Sequence, residues 1–75
     1  MARARGLEDA RDELTTTQVA QLIDDWIFKE RDRRILKRRL IDGIYYEPLA
    51  EEFGLSVRQV KNIVYKGEEI IFSKI

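Results

Sequence analysis

The segment that most constrains this chain is Gly54-Leu55-Ser56 followed, three residues on, by Gln59. Glycine accepts the left-handed backbone that closes a helix, and Ser-x-x-Gln is the capping box in which a hydroxyl and an amide each satisfy a backbone N–H at the start of the next helix. One helix must therefore end, and another begin, within three residues. The apolar residues on either side have the spacing to fill the resulting angle: Leu49, Ala50 and Phe53 before it, Leu55, Val60 and Ile63 after it. Small Ala50 lets the two helices approach. The pattern is that of a helix-turn-helix.

The same signals divide the rest of the chain. Thr15 and Gln18 form a second capping box, and Val19, Leu22, Ile23 and Trp26 recur at three- and four-residue intervals, the stripe of a helix with one buried face. Phe28 falls outside the stripe and predicts a break, after which Glu30 and Asp32 suit the first turn of a second helix. That helix runs to about Ile41 on Ile35, Leu36 and Leu40, and Gly43 stops it. Tyr45 caps a short third helix, which puts Pro48 at the third helical position, where a missing N–H has no intrahelical partner to lose. The expectation is an all-α fold: about four helices with a helix-turn-helix over residues 15–75, preceded by a disordered or frayed tail, 1–14, in which Leu7 and Leu14 make only a weak stripe.

The C-terminus carries Ile70, Ile71, Phe72 and Ile75 within eight residues, too many large apolar side chains for an idle tail. Continuing the fourth helix through Gly67 costs up to about 1 kcal/mol relative to alanine. It would align Val64, Ile71 and Ile75 against the Val19, Leu22 and Trp26 face. Phe72 then points away and, with Ile70, offers a surface for a homodimer.

At 75 residues the chain has room for one core, and 44% apolar with 37% charged residues is the composition of a folded helical domain. The absence of cysteine and histidine excludes disulfide scaffolds, Cys/His zinc sites and imidazole chemistry. No apolar run is long enough for a membrane span, and Met1 to Gly6 has no signal-peptide character, so the expected location is cytoplasmic. Ser56 and Thr15 are explained as caps. Glu51/Glu52 and Glu68/Glu69 are adjacent pairs that diverge by roughly 100° on a helix, so neither enzyme activity nor a metal or cofactor is expected.

Net charge is zero, 14 basic against 14 acidic residues, but the charges are unevenly placed. Lys29 to Arg39 holds seven basic residues against Glu30 and Asp32, and Arg58 to Lys66 holds three with no acid. On the fourth helix Val57, Val60, Ile63 and Val64 share one arc, while Arg58, Asn62 and Tyr65 lie opposite, flanked by Gln59, Lys61 and Lys66. Arg matches guanine, Asn or Gln matches adenine, and Lys and Tyr reach phosphate oxygens. The expected partner is double-stranded DNA and the expected role a transcriptional regulator.

Glu30 through Ile71, ERDRRILKRRLIDGIYYEPLAEEFGLSVRQVKNIVYKGEEII, resembles region four of bacterial sigma factors, the helix-turn-helix domain that binds the promoter minus-thirty-five element. The most specific parts are RRILKRRL, the Asp42-Gly43 stop and LAEEFGLSVRQVKNI. The resemblance implies that Arg58, Gln59, Lys61 and Asn62 contact bases and backbone, and that Arg33, Arg34, Lys37 and Arg38 belong to the helix beneath; these four basic residues are also expected to bind DNA, through its phosphates. Tyr45, Pro48 and Val57 depart from the family pattern. Nothing resembles the polymerase-binding and promoter-melting regions, so the likeness is to a stand-alone module of phage or mobile-element type. Two rival roles share the same elements: a module docking on RNA polymerase or a sigma factor, and a DNA-packaging protein like the small terminase subunits of phages.

Overall fold

In a computed structural model residues 15–74 are described, and they form four helices with no strand among them: α1 (Thr16–Trp26), α2 (Glu30–Leu40), α3 (Tyr46–Phe53) and α4 (Val57–Phe72). The expected tail, 1–14, and Ile75 lie outside the described residues. No helix among them is long and apolar enough to cross a membrane.

Each boundary has a local cause. Thr15 Oγ1 accepts from the Gln18 N–H (3.1 Å) while Gln18 Oε1 accepts from the Thr15 N–H (2.9 Å), so the capping box at α1 is complete. Ser56 and Gln59 repeat it at α4, at 3.1 and 2.9 Å. Between α3 and α4, Gly54 adopts φ 65°, and the Leu55 and Gly54 N–H groups return to the carbonyls of Ala50 (2.9 Å) and Glu51 (3.3 Å). This is the Schellman closure that only a residue without a Cβ enters at no steric cost. Gly43 has φ 73° beyond the end of α2, and Pro48 occupies the third position of α3 behind the N-cap Tyr45, which makes no side-chain cap bond.

α2 and α4 are the central pair: each touches the other and both remaining helices, whereas α1 and α3 do not touch. The core they enclose takes Val19, Ile23 and Ile27 from α1 and its end, Ile35 and Leu36 from α2, Leu49 and Ala50 from α3, and Val60, Val64, Ile71 and Phe72 from α4. The two central helices pass so closely that a Cβ built on Gly67 would stand 2.4 Å from Leu36 Cδ1 and 3.0 Å from its Cγ. Gly67, which by propensity alone weakens α4, is thus the residue that lets the helix lie down on α2.

Two expectations about apolar residues are corrected. Phe72 is buried, 5% exposed, and so does not form an outward surface with Ile70. α4 is flanked on several sides, which widens its buried arc beyond a single stripe. Trp26 lies on the expected face of α1, yet as its last residue it stands at the margin of the core, 41% exposed, with Lys74 Nζ 4.4 Å over its ring. The next residue, Ile27, takes the buried position instead.

Gly67→Ala should lower stability by about 1 to 3 kcal/mol through overpacking against Leu36, against the gain of roughly 1 kcal/mol that helix propensity alone assigns to alanine. Urea denaturation reads the sign. Phe72→Glu should abolish the cooperative transition altogether, because it places an unpaired charge in the core; a folded variant would return Phe72 to the surface.

Candidate nucleic-acid interface

The first eleven residues of α4, Val57 to Gly67, carry no carboxylate. Val60 and Val64 are buried, which turns Arg58, Lys61, Asn62, Tyr65 and Lys66 outward, all exposed. Gln59 is exposed too, but its side-chain oxygen is engaged by the Ser56 N–H, so it serves the cap before it serves any ligand.

Tyr46, at the start of α3, gathers part of this face. Its ring meets Tyr65 edge-on with centroids 6.4 Å apart, the Arg39 guanidinium lies 4.4 Å above it and Lys61 Nζ is 5.6 Å away. Arg39 also donates to the Ile44 carbonyl (3.1 Å), which ties the α2–α3 connection to the same spot. Tyr45 stands beside it, 75% exposed. The resulting basic, aromatic cluster joins three helices. Sequence reasoning placed Tyr45 only as a cap and left Arg39 and Tyr46 unassigned; the signal was an aromatic pair following directly on a basic helix.

The basic residues of α2 that the sequence assigned to DNA have different surroundings. Lys37 pairs with Asp24 of α1 at 2.8 Å. Arg38 donates from Nη2 (2.9 Å) and Nε (3.2 Å) to Glu52 of α3 and from Nη1 to Asp42 (3.3 Å). The hydrogen bonds and charge of Glu52 hold its guanidinium pKa above the ordinary arginine value, against a smaller opposing effect of desolvation, and the hydrogen bond and charge of Asp42 each add less than that. Arg33 Nε donates to the Ile27 carbonyl and braces the α1–α2 connection. Arg34 is exposed, with its guanidinium 5.9 Å from the centroid of Phe53. Three of the four are thus engaged within the chain, and the α2 residue linked to the α4 face is Arg39.

Among the described residues no group of three or more His, Cys, Asp or Glu side chains is placed to hold a metal ion. Compared with known proteins, the chain matches no family model, no curated protein and no solved structure.

The Tyr46 cluster has a measurable signature. A double-mutant cycle on Arg39→Ala and Tyr46→Ala should return a favourable coupling of about 0.5 to 2 kcal/mol in denaturant unfolding, the range between an exposed and a desolvated cation over a ring, since both side chains are half-buried. Strict additivity would mean that the stacking contributes nothing.

Proposed function

We propose that this protein is a sequence-specific DNA-binding regulator of transcription, in which α3 and α4 act as a helix-turn-helix and α4 is the reading helix. The observation that carries the reading is the outward face of α4: Arg58, Lys61, Asn62, Tyr65 and Lys66, without a carboxylate, on a helix capped at its start and packed along its length. Arg58 and Asn62 have the donor and acceptor geometry for guanine and adenine edges, and Lys61, Lys66 and Tyr65 suit phosphate oxygens. The resemblance to region four of sigma factors puts base contacts on the same stretch of chain.

The zero net charge is compatible with this role because of where the acids lie. Asp24, Asp42 and Glu52 are paired to Lys37 and Arg38, which removes them from competition with phosphate. The phosphate-facing role that the sequence gave to Arg33, Arg34, Lys37 and Arg38 passes in this reading chiefly to the exposed Arg34, with Lys61 and Lys66 of α4, while Arg39 ties α2 to that face through Tyr46.

Selection of bound sequences from a random duplex pool tests the reading directly, a defined motif supporting it and an unenriched pool overturning it. On the selected site, Arg58→Ala should cost about 1 to 3 kcal/mol and relax preference at one base pair. Asn62→Ala should do the same at another position, and neither should move the urea midpoint. Lys61→Ala should lower the log–log salt slope by about 0.9, the amount for one lost phosphate contact. Arg38→Ala should leave that slope unchanged, which separates the internal role of Arg38 from a phosphate contact.

A further inference from the structure

Basic side chains in this molecule are held in two ways. Lys37 and Arg38 are fixed by carboxylates, at 2.8 Å from Asp24 and 2.9 Å from Glu52, which orient them and offset their charge at the same time. Lys61 is fixed by a ring. Its ammonium lies 5.6 Å from the centroid of Tyr46, within reach of the negative ring face, and the side chain stays exposed. A ring attracts a cation without carrying a net charge, so the full charge of Lys61 remains for an anion outside the chain.

The ring itself is secured from two sides. Val57, Lys61 and Tyr65 follow at four-residue intervals and form one row along α4. Tyr46 lies beside that row: with Val57 and Lys61 it lines a hollow of about 210 Å³, and it meets Tyr65 edge-on at 6.4 Å. From α2 the Arg39 guanidinium stands 4.4 Å from the ring centroid and donates to the Ile44 carbonyl at 3.1 Å, so the group that steadies the ring is tied down as well. Glu47 also borders the hollow, but no ion pair among the described residues includes it.

We propose that Tyr46 is a positioning residue of the DNA interface, which holds the Lys61 ammonium ready for a backbone phosphate and does not itself touch the duplex; this rests on the function proposed above. A lysine side chain that is free in solution loses rotamer freedom when it contacts a phosphate, and that ordering subtracts from affinity. Over the Tyr46 ring the ordering takes place during folding instead. Part of the affinity of α4 for DNA is thereby set by the first residue of α3.

The test measures affinity for the duplex enriched from the random pool, in a cycle of wild type, Tyr46→Leu, Lys61→Ala and the double variant. Tyr46→Leu should weaken binding about two- to tenfold, the loss expected when one long side chain must be ordered at binding. In the Lys61→Ala background the same substitution should have no further effect, because the side chain it positions is gone. Tyr46→Phe, which keeps the ring, should restore most of the affinity that Tyr46→Leu loses. Losses that add in full across the cycle overturn the proposal and leave Tyr46 a packing residue. A Tyr46→Phe variant as weak as Tyr46→Leu overturns it in favour of a direct contact through the hydroxyl. A second measurement needs no variant: in proton NMR spectra the Lys61 side-chain methylenes should be shifted upfield by the Tyr46 ring current, in the free chain and on the duplex alike. Unshifted signals overturn the proposal, and this measurement decides it if Tyr46→Leu does not fold. A wild type that enriches no duplex removes the DNA reading and the proposal together. A wild type that binds its site, and whose affinity is unmoved by Tyr46→Leu or by Lys61→Ala, overturns the proposal alone and leaves the reading to Arg58 and Asn62.

Discussion

The arrangement of the whole molecule depends on one close passage, that of α4 across α2 at Gly67 and Leu36. Any side chain at 67 would occupy space already held by the fully buried end of Leu36. Only a hydrogen there lets the two central helices come near enough for Val60, Val64 and Ile71 to close over α2. α1 and α3 have no contact with each other. Each is located only by resting on this pair, so the geometry of the proposed reading surface, shared between α3 and α4, is set by a contact on the far side of α4.

Much of this was legible from residue types. Both capping boxes, the stops at Gly43 and Gly54, the place of Pro48 and the outward turn of Phe28 all follow from short-range rules, in which a side chain or a backbone angle acts within a few residues. The outward positions on the first turns of α4 follow from helical periodicity for the same reason. What was not legible depends on neighbours distant in sequence. Propensity marks Gly67 as a weak point, and only the presence of Leu36 turns it into a necessity. Phe72 lies off the main stripe and is buried because α4 has more than one neighbour, which periodicity within a single helix cannot reveal.

The charges show the same limit. Read along the chain, Lys29 to Arg39 is a block of positive charge; in three dimensions it is a seam. Lys37 reaches α1, Arg38 reaches α3, and Arg33 and Arg39 hold the two flanking connections by their backbone carbonyls. Such surface pairs add little to stability individually. Their effect is to match one acid on each outer helix, Asp24 and Glu52, with a base on the central one, whereas the basic residues of α4, Arg58, Lys61 and Lys66, lie in a stretch without a carboxylate.

Trp26 is the only tryptophan of the chain, and its position at the margin of the core has an optical consequence. Its indole borders a groove between residues 26–32 and 62–70, partly in water and close to the Lys74 ammonium. The emission of a half-exposed indole follows the polarity and charge around it, so its colour and intensity report a change in what lies against it while the helices remain intact. The molecule thus carries its own fluorophore at a face where apolar side chains meet solvent, and events at that face can be followed by light without attaching a label.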